Sequence, residues 1–143
     1  MARAVPIAIL WLLALSAAAW AQKPESYSEC MKRLPEAGKY RLGAKLLEGM
    51  VKKQTLPEVD GLPKDKDADA NIAILIDQHG SVACAAGFSG DPALVEAGVK
   101  AARQWKFTPY LLEGRPIVVG ANLYFHYSTG SVVAGFAPYE KKP

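Results

Sequence analysis

The apolar residues of this chain fall into runs of different period. The first, residues 4–21, carries no charge and has no period at all. Leu42, Leu46, Leu47, Met50 and Val51 then recur at helical spacing and predict a helix, with Glu48 and Lys52 as an i,i+4 pair opposite them and Gly43 and Gly49 weakening it. Ile72 to Ile76 is a continuous, β-branched run of strand length. Asp77-Gln78-His79-Gly80 follows as a turn, with Gly80 at its left-handed position, and Ser81 to Ala86 is the returning strand of a hairpin. Asp91-Pro92 predicts a helix start, because Asp at the N-cap accepts orphan backbone N–H bonds and Pro at the first helical position has no N–H to lose. That helix is expected to run from Pro92 to Gln104. Leu94, Gly98, Ala101 and Trp105 would share a face small enough to lie close against a sheet, with Glu96 and Lys100 paired on the exposed side.

Pro109 keeps Thr108 out of the helical region, so Lys106 to Tyr110 is expected to be extended. Glu113-Gly114 marks a hairpin turn, and Pro116 to Tyr127 reads as a long final strand in which Leu123, Phe125 and Tyr127 alternate with Asn122, Tyr124 and His126. The polar stretches are read as connections. Residues 22–41, with Pro24, Pro35 and Gly38, predict loop or a short helix, Asp60 to Ala70 an exposed loop, and residues 128–143 a flexible tail. The expected fold class is α+β, a small antiparallel sheet packed against one or two helices. Trp105 and Phe107 span the end of the helix and the start of a strand, which assigns them to the seam between helix and sheet as core residues.

With 143 residues, the chain is long enough for one domain with its own core, and 50% hydrophobic against 22% charged residues excludes a disordered chain. The formal charge is +3, from 17 basic and 14 acidic residues that are scattered along the sequence, which argues against a nucleic-acid partner. Residues 1–21 have the form of a secretory signal peptide. Arg3 supplies the positive end, Ile7 to Leu15 the apolar middle, and Ala19-Trp20-Ala21 the small-x-small cleavage site. The alternative is an uncleaved membrane anchor over residues 5–21, for which the run is short and interrupted by Pro6. Export bears on the two cysteines. In an oxidising compartment Cys30 and Cys84 would form a bridge, and the competing reading makes Cys84 a buried small hydrophobe and Cys30 an incidental thiol.

Little here points to catalysis. His79 sits in a turn, His126 on a sheet surface and Cys84 between alanines, with no setting that would lower a thiol pKa. Asp65-x-Asp67-x-Asp69 imitates the start of a calcium loop, but Ala70 stands where Gly is required and Ile76 where the bidentate Glu belongs, so no metal is expected. There is no Gly-rich phosphate loop and no serine elbow, and neither an enzyme nor a cofactor is expected.

The order of strand, Asp-x-x-Gly turn, strand, Ser89-Gly90, Ala-rich helix, Gln104-Trp105-Lys106-Phe107-Thr108-Pro109-Tyr110 and Gly114-Arg115-Pro116 resembles the C-terminal domain of the TonB energy-transducer family over residues 56–127. The resemblance gives Ser89, Gly90, Trp105, Phe107, Pro109, Tyr110, Gly114 and Pro116 structural roles. At the front of the domain the chain departs from the family, with Leu56-Pro57 for Tyr-Pro and Ala68 for Gly. A full transducer joins its anchor to this domain by a long Pro-rich spacer. Residues 22–55, a polar and partly helical segment, are not Pro-rich and reach on the order of 100 Å at most. What the resemblance implies is therefore a periplasmic module that binds extended segments of outer-membrane TonB-dependent receptors by strand addition, without a small-molecule substrate. The alternative is a short anchored transducer for transport across the outer membrane, and a strand-exchanged homodimer is a further partner. As the longest strand candidate, the segment containing Ile117, Val118, Val119, Leu123 and Phe125 is the expected docking edge. Its alternative is an interior strand paired on both sides.

Overall fold

A computed structural model describes residues 26–33 and 39–137. The expected signal peptide and the end of the expected tail lie outside these residues. The fold is α+β, as expected. A four-stranded antiparallel sheet is built from β2 (Ala68–Ile76), β3 (Val82–Gly90), β7 (Val119–Ser128) and β8 (Ser131–Phe136), in the order β3-β2-β7-β8. The remaining elements are α1 (Tyr27–Arg33), α2 (Ala44–Met50), β1 (Val51–Lys53), α3 (Pro92–Ala102), β4 (Lys106–Phe107), β5 (Leu111–Leu112) and β6 (Arg115–Pro116).

The centre of the sheet is the ladder between β2 and β7, which pairs nine successive residues without a shift, from Ala68 with Tyr127 to Ile76 with Val119. Because strand side chains alternate, this register puts Ala70, Ile72, Ile74 and Ile76 on one face together with Ala121, Leu123, Phe125 and Tyr127, all of them buried. Helix α3 covers that face. Asp91 caps it by accepting from the backbone N–H groups of Ala93 and Leu94 at 3.0 and 3.2 Å, with Pro92 at its first turn. Leu94, Gly98 and Ala101 face the sheet, as the spacing predicts. A Cβ at Gly98 would stand 3.0 Å from the Phe125 ring, which explains why the smallest residue lies there.

Trp105 closes the end of this layer. It is 2% exposed, its indole N–H donates to the Thr55 carbonyl at 2.8 Å, and its ring lies 5.8–6.4 Å from those of Phe107, Phe125 and Phe136. Phe107 is equally buried, and β4 pairs with β1, joining the region after α2 to the region after α3.

Several expectations need correction. Leu42 lies ahead of α2, with Gly43 at the N-cap position, and Val51 lies beyond it in β1, so the apolar stripe outlasts the helix at both ends. The expected loop Asp60 to Ala70 gives up Ala68 to Ala70 to β2, and Lys106 to Tyr110 contributes only a two-residue strand. The expected tail contains β8. Thr129 and Gly130 both have positive φ, 50° and 82°, and turn the chain back so that residues 131–136 pair with Leu123 to Ser128. A β-branched residue is a poor sequence signal for that conformation, which is why the hairpin goes unread.

Two substitutions test this packing in urea unfolding. Trp105→Ala is expected to lower stability by about 3–5 kcal/mol, by opening a cavity and orphaning the Thr55 carbonyl. Asp91→Ala is expected to cost only about 1 kcal/mol, the usual effect of losing a helix N-cap.

Candidate functional site

Strand addition needs a sheet border with open backbone groups, so the site follows from which strands lie outermost. The expected docking edge is not one of them. On one side β7 is paired with β2 along its length, and its other side is closed in three ways. The Gly120 N–H donates to the Tyr40 carbonyl at 2.8 Å and its carbonyl accepts from Leu42 N–H at 3.2 Å. The Asn122 carbonyl accepts from Ala137 N–H at 3.0 Å, and from Leu123 onward β8 takes over. Leu123 and Phe125 are core residues, Val119 is buried opposite Ile76, and Val118 is buried against Cys30, Leu75 and Cys84. Ile117 precedes the strand and donates to the Tyr110 carbonyl at 3.0 Å. The interior alternative is therefore the one observed. Length misled the expectation, because a long apolar strand in a small sheet belongs at its centre, where both sides are paired.

The two outer strands are β3 and β8, and they differ. The start of β3 continues into pairing with β4, through a bridge between Ser81 and Lys106 and a 2.8 Å bond from Phe107 N–H to the Gly80 carbonyl. Its register with β2 breaks twice, leaving Ala83 and Phe88 as extra residues, and bulges of this kind interrupt a regular row of edge groups. Helix α1 packs against its first half, with Cys30 bonded to Cys84 and its sulfur 3.4 Å from the Ala83 carbonyl oxygen. Strand β8 also has a helix, α2, packed against it, but its pairing carries no bulge. Its six residues pair with β7 without a shift, it contains no charge and no proline, and Val133 is 61% exposed. A straight, uncharged outer strand is a template for a further strand.

The motif residues take structural positions. The Ser89 hydroxyl accepts from the Asn71 side-chain amide at 2.9 Å. Gly90 has φ 124°, and a Cβ there would stand 2.1 Å from the Asp69 carbonyl oxygen. Glu113 and Gly114 form the turn between β5 and β6, both with positive φ, and Pro116 pairs with Leu111 in that hairpin. Pro109 lies beside the Gly80 turn, where Asp77 accepts from the backbone N–H groups of His79 and Ser81. Cys30 and Cys84, with Cα atoms 5.9 Å apart, form the bridge that was one of two readings of the sequence.

On the face of the sheet away from α3, Asp69, Tyr124 and His126 meet. One Asp69 carboxylate oxygen lies 2.6 Å from the Tyr124 hydroxyl that donates to it and 2.6 Å from Nδ1 of His126. The Tyr124 hydrogen bond, then that of His126, holds the Asp69 carboxyl below its ordinary value, and the same carboxylate raises the Tyr124 hydroxyl above its own. The cluster is half-exposed and forms no enclosed site. Sequence reasoning treated Asp69 as part of a solvated loop, because the cross-strand pair Asp69 with His126 depends on a register that the sequence does not state. A groove of about 390 Å³ lies on the other side, between Thr55, Leu56 and Glu58 and the exposed face of α3. Among the described residues no group of three or more His, Cys, Asp or Glu side chains could hold a metal ion, and no helix is long and apolar enough to cross a membrane.

No family model, curated protein or solved structure matches the chain.

Asp69 contributes stability above its unfolded pKa, near 4, and loses it as pH falls through its lower folded value. Tyr124 contributes below its unfolded value, near 10, and loses its share as pH rises through the higher folded one. The stability difference between the natural chain and Tyr124→Phe is therefore expected to be widest from about pH 5 to 9 and to narrow beyond both limits. An NMR titration of the Asp69 carboxyl is expected to move upward in the variant.

Proposed function

We propose that this protein is an exported binding module that takes an extended segment of another polypeptide as a fifth strand along β8. Outer-membrane transport proteins of the TonB-dependent kind are the partner class, on the strength of the residues that resemble the TonB C-terminal domain. The observation that carries the reading is the contrast between the borders, with β3 bulged twice and continued into pairing with β4, and β8 regular along its six residues. Main-chain hydrogen bonds would supply the affinity in this mode, and side chains on alternate positions, Val133 among them, the selectivity. The Cys30–Cys84 bridge supports an oxidising compartment, where such bonds persist. The chemistry asked of the protein is binding, with no step that breaks a covalent bond.

The test is calorimetric titration with synthetic peptides from the periplasm-facing extended segments of outer-membrane transport proteins. Val133→Lys places a charge on the proposed border at an exposed position, so folding stability is expected to change by less than about 0.5 kcal/mol. Peptide affinity is expected to fall by about tenfold or more. Unchanged affinity in the variant, or no binding by the natural chain, would overturn the reading.

A further inference from the structure

The face of the sheet turned away from α3 carries a group that docking at β8 does not use. Strand alternation puts Tyr124 and His126 on that face, and the register of β7 with β2 sets Asp69 directly across from His126. Three different donor atoms converge there: a carboxylate oxygen of Asp69, the hydroxyl oxygen of Tyr124 and Nδ1 of His126. The carboxylate oxygen stands 2.6 Å from each of the other two, which are 3.4 Å apart. Their positions are fixed in advance, because the ladder that carries them runs nine residues without a shift and the two rings lie nearly parallel, at 14°.

Two metal bonds of about 2.0 Å that meet at a right angle put their donor atoms about 2.8 Å apart, whereas a tetrahedral centre spreads them to about 3.3 Å. The two 2.6 Å separations lie nearer the right-angle value. Nitrogen and oxygen donors at right angles suit tetragonal Cu(II), which is also the divalent first-row ion that such donors hold most tightly. Charge agrees with this choice, since one carboxylate and one phenolate together balance a divalent ion. Tyr124 coordinates as the phenolate, so one proton leaves to solvent for each ion bound, and His126 carries its own proton on Nε2. The hydrogen bond to Asp69 opposes ionisation of Tyr124, and a cation seated between the two oxygens reverses that opposition. The side chains of His126 and Asp69 are 37% and 52% exposed, which leaves one side of the group open to water.

We propose that Asp69, Tyr124 and His126 form a surface site for a divalent copper ion, held by one carboxylate oxygen, the phenolate oxygen and Nδ1, with water in the remaining positions. The third donor is a phenol, so a grouping of histidine, cysteine and carboxylate side chains alone does not reveal the site. Nothing in it depends on a peptide at β8.

The test is titration of the full-length chain with a copper(II) salt alone at near-neutral pH, followed by visible absorption and electron paramagnetic resonance. One bound equivalent is expected, with a phenolate-to-copper charge-transfer band and nitrogen hyperfine structure from one imidazole. Tyr124→Phe is expected to abolish the band, His126→Gln to abolish the nitrogen signal, and each to weaken binding about tenfold or more. Asp69→Asn, which keeps the shape of the side chain and removes its charge, is expected to weaken binding to a similar degree. His79→Gln, at the other histidine of the chain, is expected to change none of these. All four positions are at the surface, and circular dichroism matching the natural chain is expected for each variant. No charge-transfer band in the natural chain, a band and affinity that persist in Tyr124→Phe, or loss of binding with His79→Gln alone would overturn the proposal.

Discussion

The uninterrupted ladder between β2 and β7 is the constraint from which the other features follow. Nine residue pairs in one register decide at once which side chains enter the core and which face solvent, because a slip of one position would exchange the two faces. It delivers Ile72, Ile74, Leu123 and Phe125 to α3, and it brings Asp69 opposite His126 on the far face. It also makes β7 interior, so that the borders of the sheet fall to β3 and β8. Trp105 then locks the layer. Lying between the Thr55 carbonyl and three phenylalanine rings, it joins the chain before β2, the end of α3 and the end of β8 in one buried seam.

Local chemistry made much of this legible in advance. Asp91-Pro92 announces α3, Asp77 with Gly80 announces the first hairpin, and the small residues facing the sheet announce how closely the helix lies. These are short-range signals whose physical cause lies within a few residues. Strand order is a different kind of information. Nothing within Ile117 to Phe125 tells whether its second side meets water or another strand, and the answer is supplied by Tyr40, Leu42, Ala137 and β8, each distant in sequence or hidden behind an atypical turn. The Thr129-Gly130 turn illustrates the point, since a β-branched residue at positive φ is rare enough that the segment after it reads as a tail.

The strand expected as a docking border was legible as a strand and not in its place in the sheet. Residues resembling the TonB C-terminal domain pointed to backbone pairing at a sheet border, and β7, the strand expected there, is interior, which leaves β3 and β8 as the borders. The disulfide shows a related limit. Two cysteines in a chain expected to be exported invite a bridge, but only the fold reveals that this one ties a seven-residue helix to the sheet, away from the principal core.

Hydrogen exchange along the sheet, with and without an extended segment from an outer-membrane transport protein, tests the central claim most directly. Occupation of the open border slows exchange at the amides of Ser131 to Phe136 and leaves those of Ala85 to Ser89 unchanged. Unaltered exchange at β8 in the complex, or slowing confined to β3, would contradict it.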